Sequence, residues 1–213
     1  MRIAREGWPI IGIAAFALGL VAVVGIAAGH PASVVPMLLG VGFCCYFFRD
    51  PERVPPAGER LVVSPADGKV LAVVPEREER FLRAATMRVS IFMSPLDVHI
   101  NRNPLSGTVE QVEHTAGKFH AAFADKASLD NERNAVVLRS GSCRMLMVQI
   151  AGALARRIIC DVQRGDAVSR GERFGLIMFG SRMDVYLPTD ARVTVKKGDR
   201  VHAGTSVLAE LPQ

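Results

Sequence analysis

From Gly7 to Phe48 the sequence contains no Asp, Glu, Lys or Arg, and His30 is its one histidine. A block of this kind has to be buried, either in a protein core or in lipid. Residues 8–29 are long enough to cross a bilayer, since about 20 residues at roughly 1.5 Å each cover a ~30 Å hydrocarbon layer. Gly29-His30-Pro31 then breaks the segment, and residues 34–48 form a second, shorter apolar stretch. Trp8 and Tyr46-Phe47-Phe48 stand at the outer ends, where aromatic rings favour the membrane interface. Arg2, Arg5, Arg49 and Arg53 flank the pair, and the connecting turn carries no Lys or Arg. This charge bias predicts an α-helical membrane hairpin, residues 1–48, with both ends on the cytoplasmic side. A secretory leader fits less well, because a second apolar segment follows at once without a small-x-small cleavage site.

Charged residues recur every few positions from Arg49 onward, so residues 49–213 are expected to form the soluble body, large enough to bury a core. The net charge of +5 suits attraction to anionic lipid headgroups. Nucleic-acid binding is not expected, because there is no basic helix and aromatic residues make up 6% of the chain. Cys44 and Cys45 fall inside the second apolar segment, and Cys143 and Cys160 inside strand-like runs, with no CxxC pair. Buried reduced thiols follow, not a disulfide framework. The histidines, His30, His99, His114, His120 and His202, lack metal-site spacing, so no metal is expected.

Short runs rich in Val, Ile and Leu at 70–74, 87–93, 135–138, 145–150, 155–162 and 193–195 alternate with Gly, Pro, Asp and Ser turns. They predict a mainly β body; residues 119–129 fit a short helix or a loop. One segment repeats: Arg164-Gly165-Asp166-Ala167-Val168-Ser169-Arg170-Gly171 returns as Lys197-Gly198-Asp199-Arg200-Val201-His202-Ala203-Gly204. Glycines at these places suit turns with positive φ. The repeat resembles the hammerhead turn of biotinyl and lipoyl domains, which implies a barrel-sandwich-hybrid body.

Between the repeated turns lies Phe179-Gly180-Ser181-Arg182. Gly-Ser alone is an ordinary turn dipeptide. Joined to Ser64-Pro65-Ala66-Asp67-Gly68-Lys69 and to Ser94-Pro95-Leu96-Asp97-Val98-His99-Ile100-Asn101-Arg102, in that order, it resembles the phosphatidylserine decarboxylases, and most closely their short, membrane-anchored branch. The likeness runs from Phe48-Arg49-Asp50-Pro51 to the C-terminus.

The resemblance implies that the Gly180–Ser181 bond is cut by the chain itself, giving residues 1–180 (β chain) and 181–213 (α chain), a heterodimer from one precursor. Ser181 becomes a covalent pyruvoyl (pyruvate) cofactor, which takes phosphatidylserine as a Schiff base and releases phosphatidylethanolamine and CO₂. The residue types suit this. Gly180 leaves its carbonyl open to close approach, and Ser181 supplies a nucleophile that needs a base. The likeness further implies that His99 is the general acid or base and that Asp67 orients the cleavage machinery, although Asp67 in its Pro-Ala-Asp-Gly turn also reads as an Asx-turn residue. Longer members carry a second histidine at the position of Arg102, so the base that activates Ser181 stays unassigned. Arg182 reads equally as a partner for a phosphate or carboxylate and as a solvated surface residue. Lys118, Phe119 and Arg133, in a polar segment with isolated phenylalanines, are expected to meet the headgroup and bilayer. The rival reading is a membrane-anchored lipoyl- or biotinyl-like carrier or adaptor, echoed by Asp125-Lys126-Ala127 outside the repeat.

Overall fold

The chain divides into two units, Met1–Glu52 and Arg53–Gln213, and the computed structural model describes residues 2–117, 131–152, 157–178 and 181–212. The first unit is helical, the arrangement that satisfies every backbone polar group within an apolar segment. Helix α1 covers Gly7–Ala27, 21 residues, about 32 Å at ~1.5 Å per residue. A 3₁₀ turn, Pro31–Ser33, leads into α2, Val34–Phe47, 14 residues. The helices fold back as a hairpin: Leu18 packs over Gly40, and Ser33 Oγ donates to the Ala22 carbonyl at 3.0 Å. Strands β1 (Arg2–Ile3) and β2 (Arg49–Asp50) join the hairpin's ends. Trp8, Ile13, Phe16, Leu20 and Leu39 remain exposed, a condition that hydrocarbon relieves and water does not. By length and composition α1 suffices to cross a membrane, whereas α2 is shorter than a span.

The body is mainly β. Its strands are β3 (Leu61–Val63), β4 (Gly68–Glu78), β5 (Ala84–Met93), β6 (Ile100–Arg102), β7 (Gly107–Thr115), β8 (Arg133–Ser140), β9 (Cys143–Ile150), β10 (Ile158–Cys160), β11 (Ala167–Val168), β12 (Arg173–Ile177), β13 (Ser181–Pro188), β14 (Arg192–Val193), β15 (Arg200–Val201) and β16 (Val207–Glu210). Eight form one antiparallel sheet in the order β11-β7-β8-β9-β13-β5-β4-β15, and two three-stranded sheets, β10-β12-β6 and β14-β16-β3, complete the body. The main core gathers Val62, Met93, Leu138, Met147, Phe174, Met183, Val185 and Leu208, among others. The expected strand at 155–162 narrows to Ile158–Cys160 within the described residues, while β7 and β13 were not foreseen.

The repeated turns mark an internal pseudo-two-fold. Gly165 N donates to Val109 O at 2.8 Å and Val109 N to Asp166 O at 2.9 Å; Gly198 N donates to Val70 O at 2.8 Å and Val70 N to Asp199 O at 2.9 Å. Asp166 caps Gln163 N, and Asp199 caps Lys196 N, each at 2.9 Å. Gly165 and Gly198 share φ values of 97° and 99°, a backbone region that glycine enters without steric cost. Their strands β11 and β15 close opposite edges of the large sheet. The relation extends inward. β4 and β7 each carry a register shift, between Val70 and Ala72 and between Val109 and Gln111. β3 pairs β16 as β6 pairs β12. Register then equates Val62 with Asn101, Asp67 with Ser106, and Ser181 with Cys143, about an axis through the paired Val185 and Met147.

The two halves differ where the site lies. β8 enters β9 through a tight turn at Gly141, φ 58°. The equivalent neighbours β5 and β13 are not consecutive in the chain, so β13 starts at Ser181, opposite Met93, where its counterpart Cys143 leaves a hairpin.

Candidate active site

Side chains alternate across β13. Met183, Val185 and Leu187 enter the main core, and Ser181 shares their face by the two-residue strand period. Ser181 is fully buried, and its Oγ has no hydrogen-bond partner among the described residues. A buried hydroxyl that contributes no bond to the fold costs stability.

His99 follows the end of β5 through a short turn. Asp97 shapes that turn by accepting from Ser94 N at 2.8 Å and Ser94 Oγ at 2.7 Å, and Arg200 meets its other oxygen at 3.1 Å. His99 is fully buried. Its Nδ1 lies 2.9 Å from the Asp97 carbonyl; a carbonyl can only accept, so Nδ1 carries the proton and Nε2 is the basic nitrogen of the neutral ring. The His99 carbonyl accepts from Ile177 N at 3.4 Å, which brings this segment beside the end of β12, shortly before Ser181. Met93 pairs with Ser181, and Asn101 Nδ2 approaches Met93 Sδ at 3.8 Å. Ser181, Met93, Asn101 and the His99 backbone therefore gather at one end of β13.

Asp67 stands at the same end of the sheet, because Lys69, Phe92 and Arg182 form one row across β4, β5 and β13. Two strand spacings, roughly 10 Å, separate its strand from that of Ser181. Its carboxylate is occupied elsewhere. Arg53 grips both oxygens, Nη2 to Oδ2 at 2.8 Å, Ala203 N donates to Oδ1 at 2.8 Å, and His202 Nδ1 lies 3.4 Å from Oδ2. Burial pushes its pKa up, but the Arg53 hydrogen bonds and charge, with Ala203 and His202, outweigh that and hold it below the ordinary carboxylate value. The pseudo-two-fold clarifies the local role: Ser106, the counterpart, accepts from Arg170 N at 3.0 Å, as Asp67 accepts from Ala203 N. Asp67 holds the turn at Ala203, far along the chain, rather than its own Pro-Ala-Asp-Gly loop as an Asx-turn residue would.

Arg102 is buried; it donates to the Gly171 carbonyl at 2.8 Å, and its Cδ packs on Gly204. It is engaged with the two turns. Arg182 is not a solvated surface residue. Its Nε and Nη2 meet Asp184 Oδ1 and Oδ2 at 2.7 and 2.6 Å, and both residues are buried. Asp184 also lies 3.8 Å from Arg88. Burial pushes the Arg88 pKa down, but Asp184 and Glu76 outweigh it and raise it.

Arg133 lines a groove of about 260 Å³ with Ala135, Leu146, Val148, Ile150, Phe81 and Tyr186. Ile150 pairs with both Arg133 and Arg182, so the groove occupies the sheet face opposite the Ser181 side chain. Gly180, Lys118 and Phe119, and the Asp125-Lys126-Ala127 tripeptide, lie outside the described residues.

Sequence reasoning passed over Arg53 as a partner of Asp67 and Gln149 altogether, and gave Asn101 and His202, though both stand in quoted motifs, no role of their own. A signal for part of this was present: Ser64-Pro65-Ala66-Asp67-Gly68 and Asn103-Pro104-Leu105-Ser106-Gly107 form a second repeat.

A family model described as phosphatidylserine decarboxylase matches residues 41–209. The chain belongs to the phosphatidylserine decarboxylase family. It is 46% identical over 212 residues to a phosphatidylserine decarboxylase proenzyme of Burkholderia cenocepacia (strain HI2424), covering 99% of this chain and 97% of that one. A proenzyme of the same name from Burkholderia mallei (strain SAVP1) is 46% identical, with 99% and 96% covered. One from Burkholderia vietnamiensis is 45% identical over 99% and 97%. Family membership displaces the carrier reading, and the word proenzyme describes those relatives as precursors.

Proposed function

We propose that this chain is the membrane-anchored precursor of a phosphatidylserine decarboxylase, that it cuts itself between Gly180 and Ser181, and that it then releases CO₂ from phosphatidylserine to form phosphatidylethanolamine. The observation that carries the reading is the Ser181 hydroxyl: fully buried, without a hydrogen-bond partner among the described residues, and at the start of the central strand β13. The same observation supports a pyruvoyl group formed from Ser181, since that oxygen does nothing evident for the fold. When formed, such a group supplies the electron sink for loss of CO₂.

The surrounding residues have distinct tasks. His99 Nε2 holds or moves a proton in a solvent-excluded site, its tautomer set by the Asp97 carbonyl. The Asp97 turn fixes the backbone that presents His99, and Asp67 with Arg53 fixes the neighbouring hammerhead turn. Residues 181–213 supply β13, which pairs with β5 over all 8 of its residues, so the products 1–180 and 181–213 remain one folded body. The helical hairpin supports anchoring at a membrane, and the flanking arginines favour its cytoplasmic face, where a phospholipid headgroup is within reach.

Intact mass and decarboxylation, measured together on the detergent-solubilised chain, test the proposal. Wild-type protein should separate under denaturing conditions into two fragments, the smaller beginning with a carbonyl-bearing, Edman-blocked residue 181. Ser181→Ala should stay whole and inactive. A whole, active wild-type chain would overturn the reading.

A further inference from the structure

Three buried amides stand beside the cleavage strand. Asn134 Nδ2 donates to Gln149 Oε1 at 2.9 Å. Gln149 Nε2 donates to Asn101 Oδ1 at 2.9 Å and to the Ile159 carbonyl at 3.2 Å. All three residues are at most 3% exposed. The chain of bonds has a direction. With Asn101 Oδ1 taken by Gln149, the Asn101 amino group must face the other way, towards Met93. There its described contact is the Met93 thioether at 3.8 Å, a weak acceptor. Met93 is the cross-strand partner of Ser181, so the two side chains lie on one face of the sheet.

The pseudo-two-fold supplies an independent comparison. The counterparts of Asn101, Gln149 and Asn134 are Val62, Leu187 and Met87, by the registers of β3 with β16, β5 with β13 and β8 with β9. Val62 and Leu187 are fully buried. The fold thus closes the Cys143 end of the β9–β13 pair with apolar packing and, among the described residues, places a polar chain at the opposite end, beside Ser181, where Gln149 pairs with Met183. Buried amides must be satisfied or they cost stability, and apolar packing would serve a purely structural purpose without that demand.

We propose that Asn101 is the hydrogen-bond donor to the reacting oxygen of Ser181, with Gln149 and Asn134 as positioning residues that fix its orientation; this rests on the self-cleavage reading above. Before attack, Oγ carries developing negative charge as its proton leaves; once the Oγ–C bond to Gly180 forms, the Gly180 C–N bond breaks and that proton ends on the freed Ser181 nitrogen. Elimination then removes the Ser181 α proton to the same amine or to solvent and breaks the Cβ–Oγ bond, so the oxygen leaves with the bonding pair in the carboxylate of the upstream fragment. A preset donor in a buried site stabilises the charge on this oxygen at both stages. For Asn101 Nδ2 to reach Oγ the Met93 side chain must shift, and that side chain is unbranched and adaptable.

The test follows processing rather than turnover. Asn101→Leu, Asn101→Asp (which keeps the acceptor towards Gln149) and Asn134→Leu are made in the full chain, and conversion of precursor to fragments is timed by intact mass. Each is also placed on a Ser181→Ala background, where melting reports folding without cleavage. The expected result is a slowing of at least about 100-fold for both Asn101 variants and of less than tenfold for Asn134→Leu, with cooperative melting retained. Processing of Asn101→Leu within tenfold of wild type overturns the assignment, as does equal slowing by Asn134→Leu, the mark of a shared packing role. Should Asn101→Leu fail to melt cooperatively, Asn101→Asp decides by the same thresholds. A wild-type chain that shows no cut removes the self-cleavage reading, and the donor assignment falls with it.

Discussion

Replacing Asp67 by alanine separates a carboxylate that holds a turn from one that performs chemistry. The Asp67 and Arg53 side chains are 6% and 13% exposed, so the substitution strands a guanidinium that has few other partners. Removing one member of a buried pair costs about 3–5 kcal/mol, and loss of the acceptor for Ala203 N lies within that figure. Arg53 keeps its bond to the Ala203 carbonyl at 2.8 Å, which places the expectation near the lower end. For a body of this size about 1 kcal/mol shifts Tm by ~2–4 °C, so a fall of roughly 6–12 °C is expected. Ser106→Ala, at the pseudo-equivalent turn, removes one neutral hydrogen bond at an exposed site and should cost about 1 kcal/mol or less. Both belong on the Ser181→Ala background, in detergent, where melting is free of processing. The pH dependence has a definite sign. Asp67 is held below its ordinary value of 3.8, so the pair's contribution is complete above roughly pH 4 and is lost as pH falls through the lower folded value. The gap between parent and Asp67→Ala should therefore close in acid. An Asp67→Ala substitution that leaves melting on that background within about 2 °C of its parent, yet stops the chain that retains Ser181 from cutting itself, would refute the reasoning and return Asp67 to a direct part in cleavage.

Two further outcomes are expected. Arg182→Met strands Asp184, which is fully buried with Arg88 3.8 Å away, and should destabilise by about 3 kcal/mol or more; Arg182→Met/Asp184→Leu should recover most of that in urea titrations. His99→Ala should lower decarboxylation at least ~100-fold per mole of processed protein, and full turnover would exclude His99 as the proton-handling group.

The apolar helical unit was legible because an uncharged run of this length has few alternatives; that α1 is long enough to cross a membrane and α2 shorter follows almost directly from the position of Gly29-His30-Pro31. The hammerhead turns were legible too, since Gly165 and Gly198 occupy a φ range in which side chains are strained. Strand β13 was obscured by Arg182 and Asp184, which interrupt its apolar pattern. In the fold they neutralise one another two residues apart on one face, while Ser181, Met183 and Val185 serve the other. The opposite difficulty hid Asn101: nothing in its neighbourhood of sequence says that Gln149 and Asn134 will meet it.

By itself, then, the sequence determined an apolar helical hairpin, a β body with paired glycine turns, and Ser181 as the residue to watch, because each is written in local composition or in a short contiguous motif. Tertiary structure alone decided the partners: Arg53 for Asp67, Asp184 for Arg182, Gln149 for Asn101, and Met93 opposite Ser181. Those are contacts between strands far apart in the chain, and sheet register, which sets them, depends on the whole core closing at once.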